Sequence, residues 1–363
     1  MGAAPPPPPQ VPPRRWGWRS RLPWPRLRPD PRAVLGLGLC GLAWGVAVAP
    51  QRQPLEGALR VSALSFGLQP REDGPSNTPE GFLVLRRLRS LTIKDLGKGA
   101  PLVVPLRGQR LPLAGGSALA FTAAAGSLEL RIALPAGTRV ENLQPEGKDQ
   151  LVLDLLPAAA TASGGGNAEL TIIPPLAGLT PQVSGAAGLQ AVFHQPDQPP
   201  RPLTPPDTQF ALPLAGGTRL RLQRSDANTA VVFEPNLSVT EVQFTSERQS
   251  LFDQSPLTFS TLRSGTLHLG RMQPLSLRTD QFLQIDPPGI AVLTSLRLEQ
   301  GQLAVEVVGE TQRIRSGLSQ KHPTNTLQGT LLSRYLSPEQ TSGFFGFLAG
   351  VISSLVLAVV KGE

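Results

Sequence analysis

The chain holds three histidines, His194, His268 and His322, and one cysteine, Cys40. The histidines lie far apart and none has the H-x-x-H spacing of a metal site, while Cys40 sits inside an apolar run. Tetrahedral zinc needs thiolates or closely placed imidazoles, so neither a metal nor a cofactor is expected. His268 stands between Leu267 and Leu269 in an alternating run and is expected to face solvent; His194 and His322 adjoin turns or linkers. Asp149 and Asp154 are the residue type that performs acid–base chemistry on glycosides, yet a pair of acids is ordinary in a chain of 363 residues. There is no G-x-S-x-G elbow and no phosphate loop, since Gly97-Lys98-Gly99 lacks the preceding glycine. The residues point away from an enzyme and toward a protein whose work is placement and binding.

What would do the placing lies at the two ends. Residues Ala33–Pro50 and Phe344–Val360 are apolar and uncharged. A helix rises about 1.5 Å per residue, so each run covers roughly 26 Å, short but sufficient for a hydrocarbon core of about 30 Å. Neither run carries the polar stripe of a helix lying on a globular surface. Each is read as a transmembrane helix, at 33–50 and 343–360. Before the first run stand seven arginines (Arg14, Arg15, Arg19, Arg21, Arg26, Arg28, Arg32) against Asp30, with Trp16, Trp18 and Trp24 among them. Basic flanks stay in the cytoplasm and tryptophans settle at headgroup level. Both termini are therefore expected inside and the intervening domain outside, across a bacterial inner membrane or a photosynthetic membrane. Ala47-Val48-Ala49 has the form of a signal-peptidase site, but Pro50 would follow the cut, so the reading is an uncleaved signal anchor.

Both runs carry small residues four apart: Gly41, Gly45 and Ala49 in the first, and Gly346, Gly350, Ser354 and Ala358 in the second. Such positions share one helical face and let backbones approach closely in lipid. These residues are expected to pack against another transmembrane helix, from this chain, from a partner protein or from a second copy. Expected partners are thus membrane lipid and a membrane helix. Nucleic acid is not expected, because the first 32 residues supply +6 of the formal +8 and the remainder is close to neutral.

Between the ends the dominant period is two. Leu128, Leu130, Ile132 and Leu134 alternate with Glu129, Arg131 and Ala133; Leu220 and Leu222 with Arg219 and Arg221; Leu303, Val305 and Val307 with Ala304 and Glu306; and Leu151, Leu153 and Leu155 form a similar set. Such alternation fits antiparallel sheets with one dry face. The fold class is mainly β, as antiparallel sandwich or open-barrel modules, flanked by one transmembrane helix at each end. The organisation expected is a Pro/Arg-rich cytoplasmic tail (1–32), helix one (33–50), a β-rich extracytoplasmic module (55–194), a Pro-rich linker (195–207), a second β-rich module (208–336) and helix two (343–360). LPLAGG occurs at Leu111–Gly116 and at Leu212–Gly217, which either duplication or shared turn chemistry explains. Gly126, Gly265 and Gly301 each open a Gly-x-Leu-x-Leu/Val run and are expected at hairpin turns.

A helix at each end around an outside domain resembles the topology of polysaccharide co-polymerases and ring-forming secretion subunits, although co-polymerase outer domains are mainly helical and this one reads as strands. The function expected is non-catalytic: presentation of a β-rich module for envelope assembly or partner binding. A lipid or glycan carrier is the second reading and an extracytoplasmic hydrolase the third.

Overall fold

The computed structural model describes residues 31–69, 81–98, 101–113, 115–157, 168–174, 188–206, 208–214, 217–226, 231–232, 236–249 and 255–361. The arginine and tryptophan flank before residue 31 lies outside them. The chain forms two compact units: one comprises the chain through Trp44 together with Phe345 onward, and the other runs from Gly45 to Phe344.

The Gly45–Phe344 unit is mainly β, and every strand pairing in it is antiparallel. Its organiser is the 15-residue strand Gly81–Asp95. Leu83 and Leu85 point inward, then Leu88, then Leu91 and Ile93, all buried. That spacing breaks strict alternation twice. Each break is a register shift, one between Leu85 and Leu88 opposite Leu128–Leu134 and one opposite Gln223–Arg224. Arg87, at φ +59°, lies within the first shift, and Arg89 within the second. Bulges of this kind bend a strand while keeping its apolar residues on the core side. Ala118–Ala123 pairs with the second half of this strand and Leu128–Leu134 with the first half. The two partners then part company: Leu189–His194 joins Ala118–Ala123, whereas Ala168–Ile173 joins Leu128–Leu134. From the second half of the organising strand, hydrogen bonding runs outward through Thr218–Arg224, Gln150–Leu156, Arg139–Glu146 and Leu64–Leu68 to Leu237–Gln243.

A further set of strands is built around Gln53–Val61, which lies between Leu262–Leu269 and Gln302–Thr311. Gly289–Glu299 follows beyond Gln302–Thr311. Leu237–Gln243 joins the two sets, bonding to Leu293 and Val292 through Leu237 and Ser238 and to Leu68 and Gly67 through Val239 and Thr240. The Pro-rich stretch expected to be a linker contains the strand Arg201–Leu203, paired with Ala191–Phe193. Hydrogen bonding crosses that stretch, because Phe210–Leu214 and Thr218–Arg224 pair with strands that precede it.

The alternating leucines behave as their period predicts. Leu128, Leu130, Ile132, Leu134, Leu220, Leu222 and Leu303 are fully enclosed. Gly301, at φ +75°, closes the hairpin between Gly289–Glu299 and Gln302–Thr311; Gly126 also has a positive φ, +77°, but the strands on its two sides pair with opposite halves of Gly81–Asp95 and not with each other. Gly265 does not: it lies inside Leu262–Leu269, where a Cβ would stand 2.5 Å from Leu59 Cδ2 and 2.8 Å from the Ala58 carbonyl. Close approach of the neighbouring strand, not a turn, requires glycine there.

Candidate functional site

The helix α1 spans Pro31–Val48, α2 spans Leu331–Tyr335 and α3 spans Pro338–Lys361. The start of α3 is set by local chemistry. Ser337 accepts from the Gln340 backbone N–H (3.3 Å), and Gln340 Oε1 accepts from the Ser337 N–H (3.0 Å), with Pro338 at the first helical position. This reciprocal cap satisfies free N–H groups, and proline there loses no useful donor. The helix therefore begins six residues before the apolar run does. From Gln340 to Val360 it contains no charged residue.

Within α3, Glu339–Leu357 is long and apolar enough to cross a membrane, with a mean hydropathy of 1.5 and 6% of the segment buried. Among the described residues it is the one helix that meets this standard. The apolar part of α1, Gly38–Val48, is shorter. Large apolar side chains on both helices stand open, including Leu35, Leu39 and Leu42 on α1 and Phe347 and Leu357 on α3.

The helices touch, but away from the expected small-residue faces. A Cβ on Gly36 would lie 3.4 Å from Leu355 Cδ1, and the rings of Trp44 and Phe345 sit 4.7 Å apart. By contrast, a Cβ at Gly41, Gly45, Gly346 or Gly350 would meet nothing within 4 Å among the described residues beyond its own helix backbone. Ser354 donates its hydroxyl to the Gly350 carbonyl (2.9 Å), which satisfies it within its own helix. Ala49 is half-buried, and the Ala358 side chain lies outside the described residues. The spacing rule found a small face; among the described residues the contacts between the helices include Gly36 with Leu355 and Trp44 with Phe345.

The body is stitched where the segments leading to α1 and α3 leave it. Pro50 bridges to Thr330, Gln51 N–H donates to the Gly329 carbonyl (2.9 Å), and Gln53 Nε2 donates to the Thr330 carbonyl (2.8 Å). Gln53 is buried, and Gly270 and Gly329 press against it: a Cβ on either would lie 2.8 Å from Gln53 Oε1 or 2.5 Å from its Cγ. Next to this stitch is a cavity of about 370 Å³ lined by Arg271, Met272, Leu327, Ser333, Leu336 and Thr341, among others. A larger cleft of about 540 Å³ lies elsewhere in the body, against Val239, Val242, Phe244, Leu283, Ile285 and Ile290.

The chemistry-bearing residues are dispersed and mostly engaged. His194, His268 and His322 are exposed. Asp154 is buried and accepts two hydrogen bonds from Arg219 (2.7 and 2.8 Å) and one from Asn142 (3.0 Å), while Asp149 accepts from Gln223 (3.1 Å). The hydrogen bond to Asp154 outweighs desolvation and raises the Arg219 pKa further above its ordinary value. Asp286 receives Arg313 (2.8 Å) and Arg315 (3.0 Å). Burial pushes its carboxyl upward, but the two guanidinium hydrogen bonds prevail and hold it below the ordinary value. Neither arginine cluster was visible as a motif, because each joins residues far apart in the sequence. No group of three or more His, Cys, Asp or Glu side chains able to hold a metal is found among the described residues. Comparison with protein-family models, with curated proteins and with solved structures gave no match.

Proposed function

We propose that this chain is a non-catalytic membrane protein, held by a helix at each end, that presents its β-rich body outside the cytoplasm for envelope assembly or partner binding. The observation that carries the proposal is the open apolar surface of α3. Soluble proteins cover such a surface, and a helix that its own chain leaves bare needs lipid around it. Both termini lie in the cytoplasm on this reading, as the arginine flank implies. Two anchors restrict the body to a thin layer and raise its effective concentration toward membrane partners. The small faces at Gly41–Gly45 and Gly346–Gly350 remain open for a helix of another chain, a second copy included. The test is alkaline extraction of native membranes with a compartment reporter fused after Glu363. Retention in the pellet with a cytoplasmic signal supports the proposal; release into the supernatant ends it.

The cleft of about 540 Å³ favours a second reading, a lipid or glycan carrier, because its walls are largely aliphatic and aromatic. Lipid extracted with the purified chain, and lost on Val242→Asp, would support the carrier; a discrete oligomer free of lipid would support the scaffold.

A further inference from the structure

The cavity of about 370 Å³ beside the Pro50–Thr330 stitch has two kinds of wall. Met272, Leu327 and Leu336 are apolar and partly buried, and Arg271 stands at the edge in solvent. Arg271 spends one N–H on the Tyr335 carbonyl (3.0 Å) and has no carboxylate within ion-pair distance among the described residues. Four guanidinium N–H bonds remain for another acceptor. Arg334 is exposed nearby in sequence, its guanidinium 6.0 Å from the Tyr335 ring. Tyr335, the chain's one tyrosine, is 64% exposed. Tyrosine and arginine beside the end of an apolar span are side chains that settle at the headgroup layer. Thr341, which also lines the cavity, is the third residue of the apolar segment Glu339–Leu357. Glu339, in the first turn of α3, is exposed and does not line the cavity.

We propose that this cavity is a binding site for one anionic phospholipid, with the phosphate on Arg271 and the upper acyl chain along Met272, Leu327 and Leu336. The site rests on the membrane reading above and gives it a ligand. An arginine fork matches phosphate oxygens, and the apolar wall begins where the chain itself turns into lipid. A zwitterionic lipid offers the same phosphate with a competing cation attached, so the site discriminates by net charge.

The test uses the full chain reconstituted into phosphatidylcholine vesicles with and without phosphatidylglycerol, and native mass spectrometry of the lipids that remain bound. Wild type is expected to retain phosphatidylglycerol in preference to phosphatidylcholine. Arg271→Gln is expected to weaken that retention about tenfold, the size of one charge-assisted hydrogen bond, with partial rescue by Arg271→Lys. An unchanged unfolding midpoint shows that the variants keep the fold. A chain that inserts but holds both lipids equally, or that is unaffected by Arg271→Gln, overturns this site alone. Full displacement of the lipid by inorganic phosphate assigns the pocket to a free anion and overturns it as well. A chain recovered outside the vesicles overturns the membrane reading and this site together.

Discussion

Leucine occurs in both units of this molecule under opposite conditions. In the sheet body Leu91, Leu220 and Leu303 have no exposed surface; in the end helices Leu42 is 67% exposed and Leu357 58%. The residue is the same and its surroundings are not. Period two gives each of these three body leucines a neighbour across the sheet and a core behind it. Helices α1 and α3 are mostly apolar, and among their described residues Leu35, Leu39, Leu42, Phe347 and Leu357 are exposed.

The strongest way to break this contrast is to make one substitution in both places. Leu91→Ala removes a fully buried side chain opposite Leu222 and Phe121. It should destabilise the body by about 2–5 kcal/mol, read as a lower urea midpoint at constant slope. Leu357→Ala should leave that midpoint within about 0.5 kcal/mol, because its side chain is mostly exposed. Equal losses at the two sites would mean that α3 belongs to the soluble core.

Glycine repeats the contrast on a smaller scale. A Cβ on Gly309 would run into the Gly289 carbonyl and stand 2.9 Å from Ile290 Cα, all backbone that cannot swing aside. Gly309→Ala should cost about 1–3 kcal/mol. Gly346→Ala meets open space and should not weaken the body at all. Its effect should appear only in detergent or lipid, as a shift in chain association, if the small face pairs with another helix.

How much of this was legible in the sequence depends on the range of the forces involved. Alternation at Leu128–Leu134 and Leu303–Val307 is a local imprint of a dry face, and it identified buried residues correctly. The helix start at Ser337–Gln340 is equally local, a serine, a proline and a glutamine at capping spacing. Strand partnership leaves no such imprint. Gln53–Val61 pairs with residues beyond 262, and nothing in its nine residues distinguishes those partners from nearer ones. The stretch 195–207 has the composition of a linker because Arg201–Leu203 lies in a three-residue strand bonded on one side, where prolines are tolerated. Gly36 escaped notice for a related reason. One glycine facing a leucine on a distant helix has no periodicity, whereas Gly41 and Gly45 do.

Polar contacts inside the body offer a gentler probe. Asp154 holds two strands together through Arg219 on one neighbour and Asn142 on the other. Asp154→Ala leaves those donors without their acceptor. Arg219 is 44% exposed and can turn to water, so the loss should be about 1–2 kcal/mol, well under that of a wholly buried pair. The Arg219→Ala, Asp154→Ala double variant should lose less than the sum of the singles, which a double-mutant cycle measures.

The smallest effect separates the two units by pH. Asp286, between Arg313 and Arg315, has its folded carboxyl held below the ordinary value of 3.8. The unfolded chain therefore binds this proton more readily than the folded one. The stability contributed by Asp286 is complete above the unfolded value and is lost as pH falls below 3.8 through the folded value. Asp286→Asn should lower the unfolding midpoint at neutral pH and flatten the acid slope of the midpoint relative to wild type. The end helices have nothing comparable: no acidic or basic residue lies between Arg32 and Arg52, or between Glu339 and Lys361. Acid should thus weaken the body while leaving sedimentation with membranes unchanged in both wild type and Asp286→Asn. If membrane retention followed the Asp286 slope, the anchors would depend on the fold of the body, and the two kinds of leucine would share a single cooperative structure after all.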